Sequence, residues 1–103
     1  MKQDQDIPFE HHLFVCKGSQ CTFKCPAPDG EGPKLLKDQL KESFKNLGLK
    51  GIVRVSQSSC MGQCEHAPNI MDYPSGVWYR EVQAEDLKGI EEDVLRRMKQ
   101  PGN

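Results

Sequence analysis

The segment SCMGQCEHAPNIM at residues 59–71 decides the fold, because it holds two cysteines with C-x3-C spacing directly before a proline and an apolar run. Cys60 and Cys64 frame a glycine-containing turn, in which backbone amides can approach sulfur closely. Outward from this segment, Cys16 and Cys21 form a second pair with C-x4-C spacing, and 38 residues separate the two pairs. This arrangement indicates a metal centre assembled from two distant loops.

Four thiolates are the usual protein ligands of a 2Fe-2S cluster, and three other uses of such cysteines compete with this interpretation. A disulfide framework fits poorly, because the cysteine count is five and the first ten residues show no apolar signal segment. Structural zinc also takes four cysteines, although usually in pairs that lie closer together along the chain. Dithiol redox chemistry normally uses C-x-x-C, a spacing that this chain lacks.

Length and composition limit the remaining classes of protein. A chain of 103 residues suits one domain, so we expect a single domain over residues 1–103 with a flexible N-terminal arm at 1–11. Charged residues make up 28% of the chain but the net charge is only −1, which argues against a nucleic-acid partner. Apolar runs are too short for a membrane span. We therefore expect a soluble protein in the reducing cytoplasm.

The first half of the chain predicts a strand, a helix and a second strand. The apolar run at residues 13–15 leads straight into Cys16 and predicts a short buried strand. A helical stripe then begins at Pro33 and closes at Gly48; its apolar positions are Leu36, Leu40, Phe44 and Leu47. The β-branched segment 52–55 predicts the second strand, followed by a polar loop that leads to Cys60. Both cysteine pairs are thus expected at strand ends.

The second half predicts a hairpin and a closing helix. Segments 69–73 and 77–82 flank Pro-Ser-Gly, which has the length and composition of a hairpin connection. Trp78 lies in the second of these strands, where we expect it to pack in the core. From residue 84 an apolar stripe at helical spacing predicts a helix that extends to Met98. The predicted order is β-α-β-β-β-α, an α/β protein.

These residues resemble the thioredoxin-like 2Fe-2S ferredoxins, which are related to the 2Fe-2S domain of respiratory complex I and of some hydrogenases. The resemblance covers residues 13–98 and is most specific at 59–71 and at the hairpin around 73–79. It implies a thioredoxin-like fold in which a mixed four-stranded sheet is flanked by helices. It also implies a 2Fe-2S cofactor, redox protein partners and, because members are often dimers, a homodimer.

The resemblance carries the cluster ligands over residue by residue. Cys16 matches the first ligand, and Cys60 and Cys64 match the third and fourth. In one branch of the family the second ligand lies thirteen positions after the first, where this chain has Asp29. This chain is expected to use Cys21 instead, because a short spacing leaves less loop to order. Cys25 is an addition to the family's pattern. It is either not a ligand or a residue that can replace Cys21 as a ligand.

The function expected from these residues is one-electron transfer through the cluster. Backbone amides of Lys17, Gly18, Met61 and Gly62 are the predicted donors to sulfur. An enzyme in its own right is not expected, since the sequence shows no nucleotide-binding glycine motif or nucleophile constellation. Two alternatives stay open: a structural zinc interaction module that uses the same four cysteines, and an iron-sulfur or redox sensor in which Cys25 pairs with a released Cys21.

Overall fold

The computed structural model describes residues 1–3, 9–18 and 32–98, and it shows four strands and two helices in the predicted order. Two short 3-10 turns at Cys64–His66 and Ala84–Asp86 complete the described elements. The strand β1 already begins inside the segment that was expected as an N-terminal arm. The main elements are β1 (His11–Cys16), α1 (Gly32–Asn46), β2 (Val53–Ser58), β3 (Ile70–Tyr73), β4 (Val77–Tyr79) and α2 (Leu87–Arg97).

The strands form one mixed sheet in the order β2-β1-β3-β4. Strands β1 and β2 run parallel, whereas β3 pairs antiparallel with both β1 and β4. In the parallel pair, Cys16 lies opposite Ser58, the last residue of β2. Because parallel strands end at the same edge of a sheet, the segments that follow Cys16 and Ser58 leave the sheet next to each other.

One apolar core joins the sheet to both helices. Leu36, Leu40 and Phe44 recur at helical spacing on α1 and are almost completely buried, as predicted. They share a cluster with inward residues of the sheet and of α2, and with Val82 on the connection between β4 and α2; the sheet residues are Leu13, Val15, Val53, Val55 and Ile70, and the helix residues are Leu87, Ile90 and Val94. Burying each such side chain contributes about 1.5–3 kcal/mol. This core fixes the two helices against the strands that carry the cysteines.

The predicted burial of Leu47 and Trp78 was wrong. Leu47 was placed on the apolar stripe of α1, but it is 47% exposed because the helix ends at Asn46 and turns through Gly48 at φ +75°. Trp78 was expected in the core, but it is 38% exposed. Since neighbours on a strand face opposite ways, it is the adjacent Tyr79 that packs against the core.

A network of charged and polar side chains joins α2 to three strands. Asp72 on β3 is fully buried; its carboxylate lies 2.9 Å from His11 Nδ1 on β1 and accepts a hydrogen bond of 2.7 Å from Arg97 on α2. Arg97 also donates to the Tyr79 hydroxyl and to Asp93, and Tyr79 donates to Asp93 at 2.6 Å. His11 opens β1 and Cys16 closes it, so the His11–Asp72 contact lies toward the end of β1 opposite to Cys16.

The network predicts an unusual titration of Tyr79. Burial, with the hydrogen bond to Asp93, raises the pKa of the Tyr79 hydroxyl to about 12. A raised pKa means that the fold favours the neutral phenol, so this stabilisation is complete below the unfolded pKa of about 10 and is lost as the pH rises through about 12. In a Tyr73→Phe variant Tyr79 is the remaining tyrosine. Its tyrosinate absorbance should stay low at about pH 10.5 in the folded protein and appear on denaturation; a folded-state midpoint near 10 would contradict this.

Candidate metal centre

The candidate centre begins with Cys16 at the end of β1. Its backbone N–H donates to the Asn69 carbonyl at 3.0 Å, and the next N–H, that of Lys17, donates to the Ser58 carbonyl at 2.8 Å. The Cys16 side chain is 3% exposed, and its Sγ lies 3.7 Å from the Ser59 carbonyl oxygen. The first cysteine is therefore held beside the segment that leads from β2 to Cys60.

Cys60 and Cys64 form an exposed pair on the loop after β2, with their Sγ atoms 3.5 Å apart. Two thiolates bound to one tetrahedral metal at bonds of about 2.3 Å would lie about 3.8 Å apart. The observed separation fits two ligands on one iron, and a 2Fe-2S cluster takes two protein ligands on each of its irons. The donor chemistry and the spacing of this pair thus suit such a cluster.

The Gly62 backbone acts directly on this pair. Its N–H donates to Cys60 Sγ at 3.4 Å, as predicted for one of the four amides. Gly62 has φ +79°, which glycine adopts without strain, so the turn depends on its backbone freedom; no neighbouring atom would crowd a side chain there. The Gly62 amide aims a positive dipole at the sulfur of a candidate ligand.

The same contacts shift the pKa values of the two exposed thiols in opposite directions. The hydrogen bond from Gly62, followed by that with Cys64, lowers the pKa of Cys60. Hydrogen bonding to Cys60 and the charge of its thiolate raise the pKa of Cys64. Cys60 is therefore the first of the pair to lose its proton and present a thiolate to a metal.

Gly18 brings the two cysteine-bearing segments into contact. A Cβ atom added at Gly18 would lie 3.2 Å from Cys60 Cβ, 3.3 Å from Cys60 Cα and 3.6 Å from Cys16 Sγ. Any side chain at this position would push Cys60 away from Cys16. Close approach of the two segments is thus the reason for glycine here.

Cys21 and Cys25 lie outside the described residues. Within residues 9–18 and 32–98, no three His, Cys, Asp or Glu side chains gather closely enough to hold a single metal ion. What this part of the chain provides is the pair Cys60 and Cys64 with the buried Cys16 close to Cys60.

Asn69 is a residue of this region that the sequence interpretation missed. It is 1% exposed and its amide contacts the loop between Cys60 and Cys64. The only signal in the sequence was a polar residue between Pro68 and an apolar strand, which is too common to indicate a role.

Comparisons with known proteins identify the family. No family model matches the chain. A 2Fe-2S ferredoxin of Clostridium pasteurianum is 30% identical over 90 residues, which cover 84% of this chain and 85% of that protein. The chain belongs to the 2Fe-2S ferredoxins. A putative 2Fe-2S ferredoxin of Priestia megaterium is also 30% identical to this ferredoxin, over 86 residues that span 61% of the relative.

Solved structures agree with this assignment. The thioredoxin-like 2Fe-2S ferredoxin of Aquifex aeolicus superposes on this ferredoxin with a TM-score of 0.70 and 26% identity, over 85% of this chain and 87% of the other. A chain of an NAD+-reducing NiFe-hydrogenase superposes with a TM-score of 0.64 over 92% of this chain and 16% of that one. At 14% identity this second likeness shows the fold alone.

Three predictions are thereby confirmed. The ferredoxin has the thioredoxin-like α/β fold, its cofactor is a 2Fe-2S cluster, and it is an electron carrier rather than an enzyme. Family membership argues against the zinc module, because zinc in the same cysteines would supply no electron-transfer centre.

Among the described helices, none has the length and apolar character needed to cross a bilayer.

Proposed function

We propose that the chain is a single-domain, one-electron carrier whose 2Fe-2S cluster is held by Cys16, Cys21, Cys60 and Cys64. The observation that carries the ligand assignment is the parallel register of β1 and β2. It brings the segment after Cys16 beside the segment that leads to Cys60, while Cys60 and Cys64 stand 3.5 Å apart. Cys21 would supply the remaining ligand from the segment that follows Gly18.

The surrounding residues have defined tasks in this proposal. When bound, the cluster supplies one-electron oxidation and reduction. Reduction adds negative charge, so the Gly62 N–H directed at Cys60 Sγ would favour the reduced state and raise the potential. Cys16 is buried and anchors the site to the sheet, whereas Cys60 and Cys64 are exposed and mark the side from which a redox partner would approach.

The proposed setting is the cytoplasm, where a reducing environment keeps the four cysteines available as thiolate ligands. A redox protein is the proposed partner and a homodimer the proposed assembly; neither nucleic acid nor a membrane has a role in the proposal. Light scattering on the purified protein tests the dimer: it should give twice the mass of one chain, and a monomer at micromolar concentration would reject that assembly.

The test of the function is a metal analysis of protein purified without air. We expect about two irons and two acid-labile sulfides per chain, as one 2Fe-2S cluster requires. The visible absorption should bleach on dithionite, and a coulometric titration should consume one electron per chain. A colourless protein with one zinc and no sulfide would overturn the proposal in favour of the structural module. The sensor would be favoured if the cluster can be reduced and reoxidised without passing electrons to a partner protein, while loss of the cluster changes the binding of that partner.

A further inference from the structure

Asn69 sits between the two halves of the candidate centre. Its backbone carbonyl accepts the hydrogen bond from the Cys16 N–H at 3.0 Å, which holds the end of β1. Its side-chain Nδ2 donates to the Gln63 carbonyl at 2.8 Å, which holds the loop immediately before Cys64. A single buried residue thus contacts the segments of two proposed ligands that lie 48 positions apart in the sequence.

Trp78 fixes the orientation of the Asn69 amide. The indole Nε1–H donates to Asn69 Oδ1 at 2.9 Å. An indole nitrogen can only donate, so Oδ1 must face Trp78 and Nδ2 must face Gln63. Trp78 therefore contacts the residue that holds the cysteine loop, from the side of β4 opposite to the core-facing Tyr79.

The Gln63 carbonyl matters because of the peptide that it belongs to. The peptide between Gln63 and Cys64 is planar, so a carbonyl held toward Asn69 fixes the Cys64 N–H in the opposite direction. Anchoring the carbonyl therefore fixes the peptide from which the Cys64 side chain projects. The placement of ligand sulfurs relative to nearby backbone N–H groups adjusts the potential of iron-sulfur centres.

We propose that Asn69, oriented by Trp78, is a positioning residue that sets the geometry of the Cys60–Cys64 loop relative to Cys16 and thereby the reduction potential of the cluster. The inference rests on the proposed ligand roles of Cys16 and Cys64. It goes beyond them, because it assigns control of the centre to two residues that are not among the proposed ligands.

Two variants and a matched control test this role. Asn69→Leu removes the hydrogen bonds to Gln63 and Trp78 at similar volume, and Trp78→Phe keeps an aromatic ring but removes the N–H donor that orients the amide. Tyr73→Phe removes a hydroxyl from an exposed aromatic ring on the same hairpin, with no described contact to Asn69. All three are purified as cluster-containing protein, and their folding is checked by circular dichroism.

The readouts are the midpoint potential, the g-values of the reduced cluster in electron paramagnetic resonance, and the rate of cluster loss to a chelator. We expect Asn69→Leu to shift the potential to a more negative value, to change the g-values and to speed cluster loss about tenfold, because leucine leaves the Gln63 carbonyl and the Trp78 N–H without the partner that holds the loop. Trp78→Phe should shift all three in the same direction by less, and Tyr73→Phe should shift none.

The inference fails if Trp78→Phe keeps the wild-type potential, g-values and chelation rate, even where Asn69→Leu does not fold. A simple loss of stability would lower the unfolding midpoint but leave the potential and g-values unchanged, and that pattern would also overturn it. Failure of the underlying function is distinguishable, because the wild-type protein itself would then contain no 2Fe-2S cluster.

Discussion

Replacement of Cys60 with alanine is expected to give a folded protein that lacks the 2Fe-2S cluster. Alanine cannot bind iron, and a single lost thiolate leaves one iron with an incomplete set of ligands. The fold should survive because the Cys60 side chain is exposed and is not part of the apolar core. Iron and sulfide content should fall from about two of each per chain to near zero, while far-ultraviolet circular dichroism stays unchanged.

Cys25→Ala is the matched control for this prediction, and Cys21→Ala tests the remaining proposed ligand. If Cys21 is the second ligand, its loss should abolish the cluster whereas Cys25→Ala retains full iron and sulfide. The reverse result would transfer the ligand role to Cys25. A Cys60→Ala protein with a full cluster would reject the ligand assignment itself.

Gly18→Val is expected to separate the two halves of the site. Even the first added atom would lie 3.2 Å from Cys60 Cβ and 3.3 Å from Cys60 Cα, and valine adds two further methyl groups. The backbone of the Cys60 segment has to move, so we expect less than half of the chains to hold a cluster. Overpacking of this kind should also lower the free energy of unfolding by about 1–3 kcal/mol.

Gly89→Ala provides the comparison, because no atom lies within 4 Å of a Cβ added there on α2. Gly89 lies in the first turn of α2, where alanine should raise the free energy of unfolding by at most about 1 kcal/mol and leave the cluster content intact. Urea denaturation followed by circular dichroism measures the first quantity, and iron analysis measures the second. Wild-type cluster content in Gly18→Val would show that the two segments do not need this contact.

Local patterns were sufficient to predict most of the fold. The helical stripe of Leu36, Leu40 and Phe44 with a glycine after it located α1, because periodicity and capping are properties of neighbouring residues. The apolar segments next to Cys16 and before Cys60 located β1 and the start of β2. The mixed four-stranded sheet and the thioredoxin-like arrangement came from the resemblance.

Features that depend on distant partners could not be predicted in this way. The polar residues Ser56, Gln57 and Ser58 were interpreted as a loop, yet they belong to β2 because they pair with the last three residues of β1. Asp72 is buried only because His11 and Arg97, which lie 61 and 25 positions away, meet it in space. The role of Asn69 likewise depends on Trp78 and Gln63, and neither contact leaves a spacing pattern in the sequence.

The register of β1 and β2 gives cluster assembly a second role, as a check on folding. Cys16 lies opposite Ser58, and each residue advances a strand by about 3.3 Å. A slip of one residue would therefore move Cys16 relative to Cys60 by about 3.3 Å, which is longer than a metal–sulfur bond of about 2.3 Å. It would also turn the thiol to the other face of the sheet. Misaligned chains could not complete the four-thiolate set. Iron and sulfide would thus accumulate only in chains whose two parallel strands are aligned correctly, so that metal loading selects the native pairing.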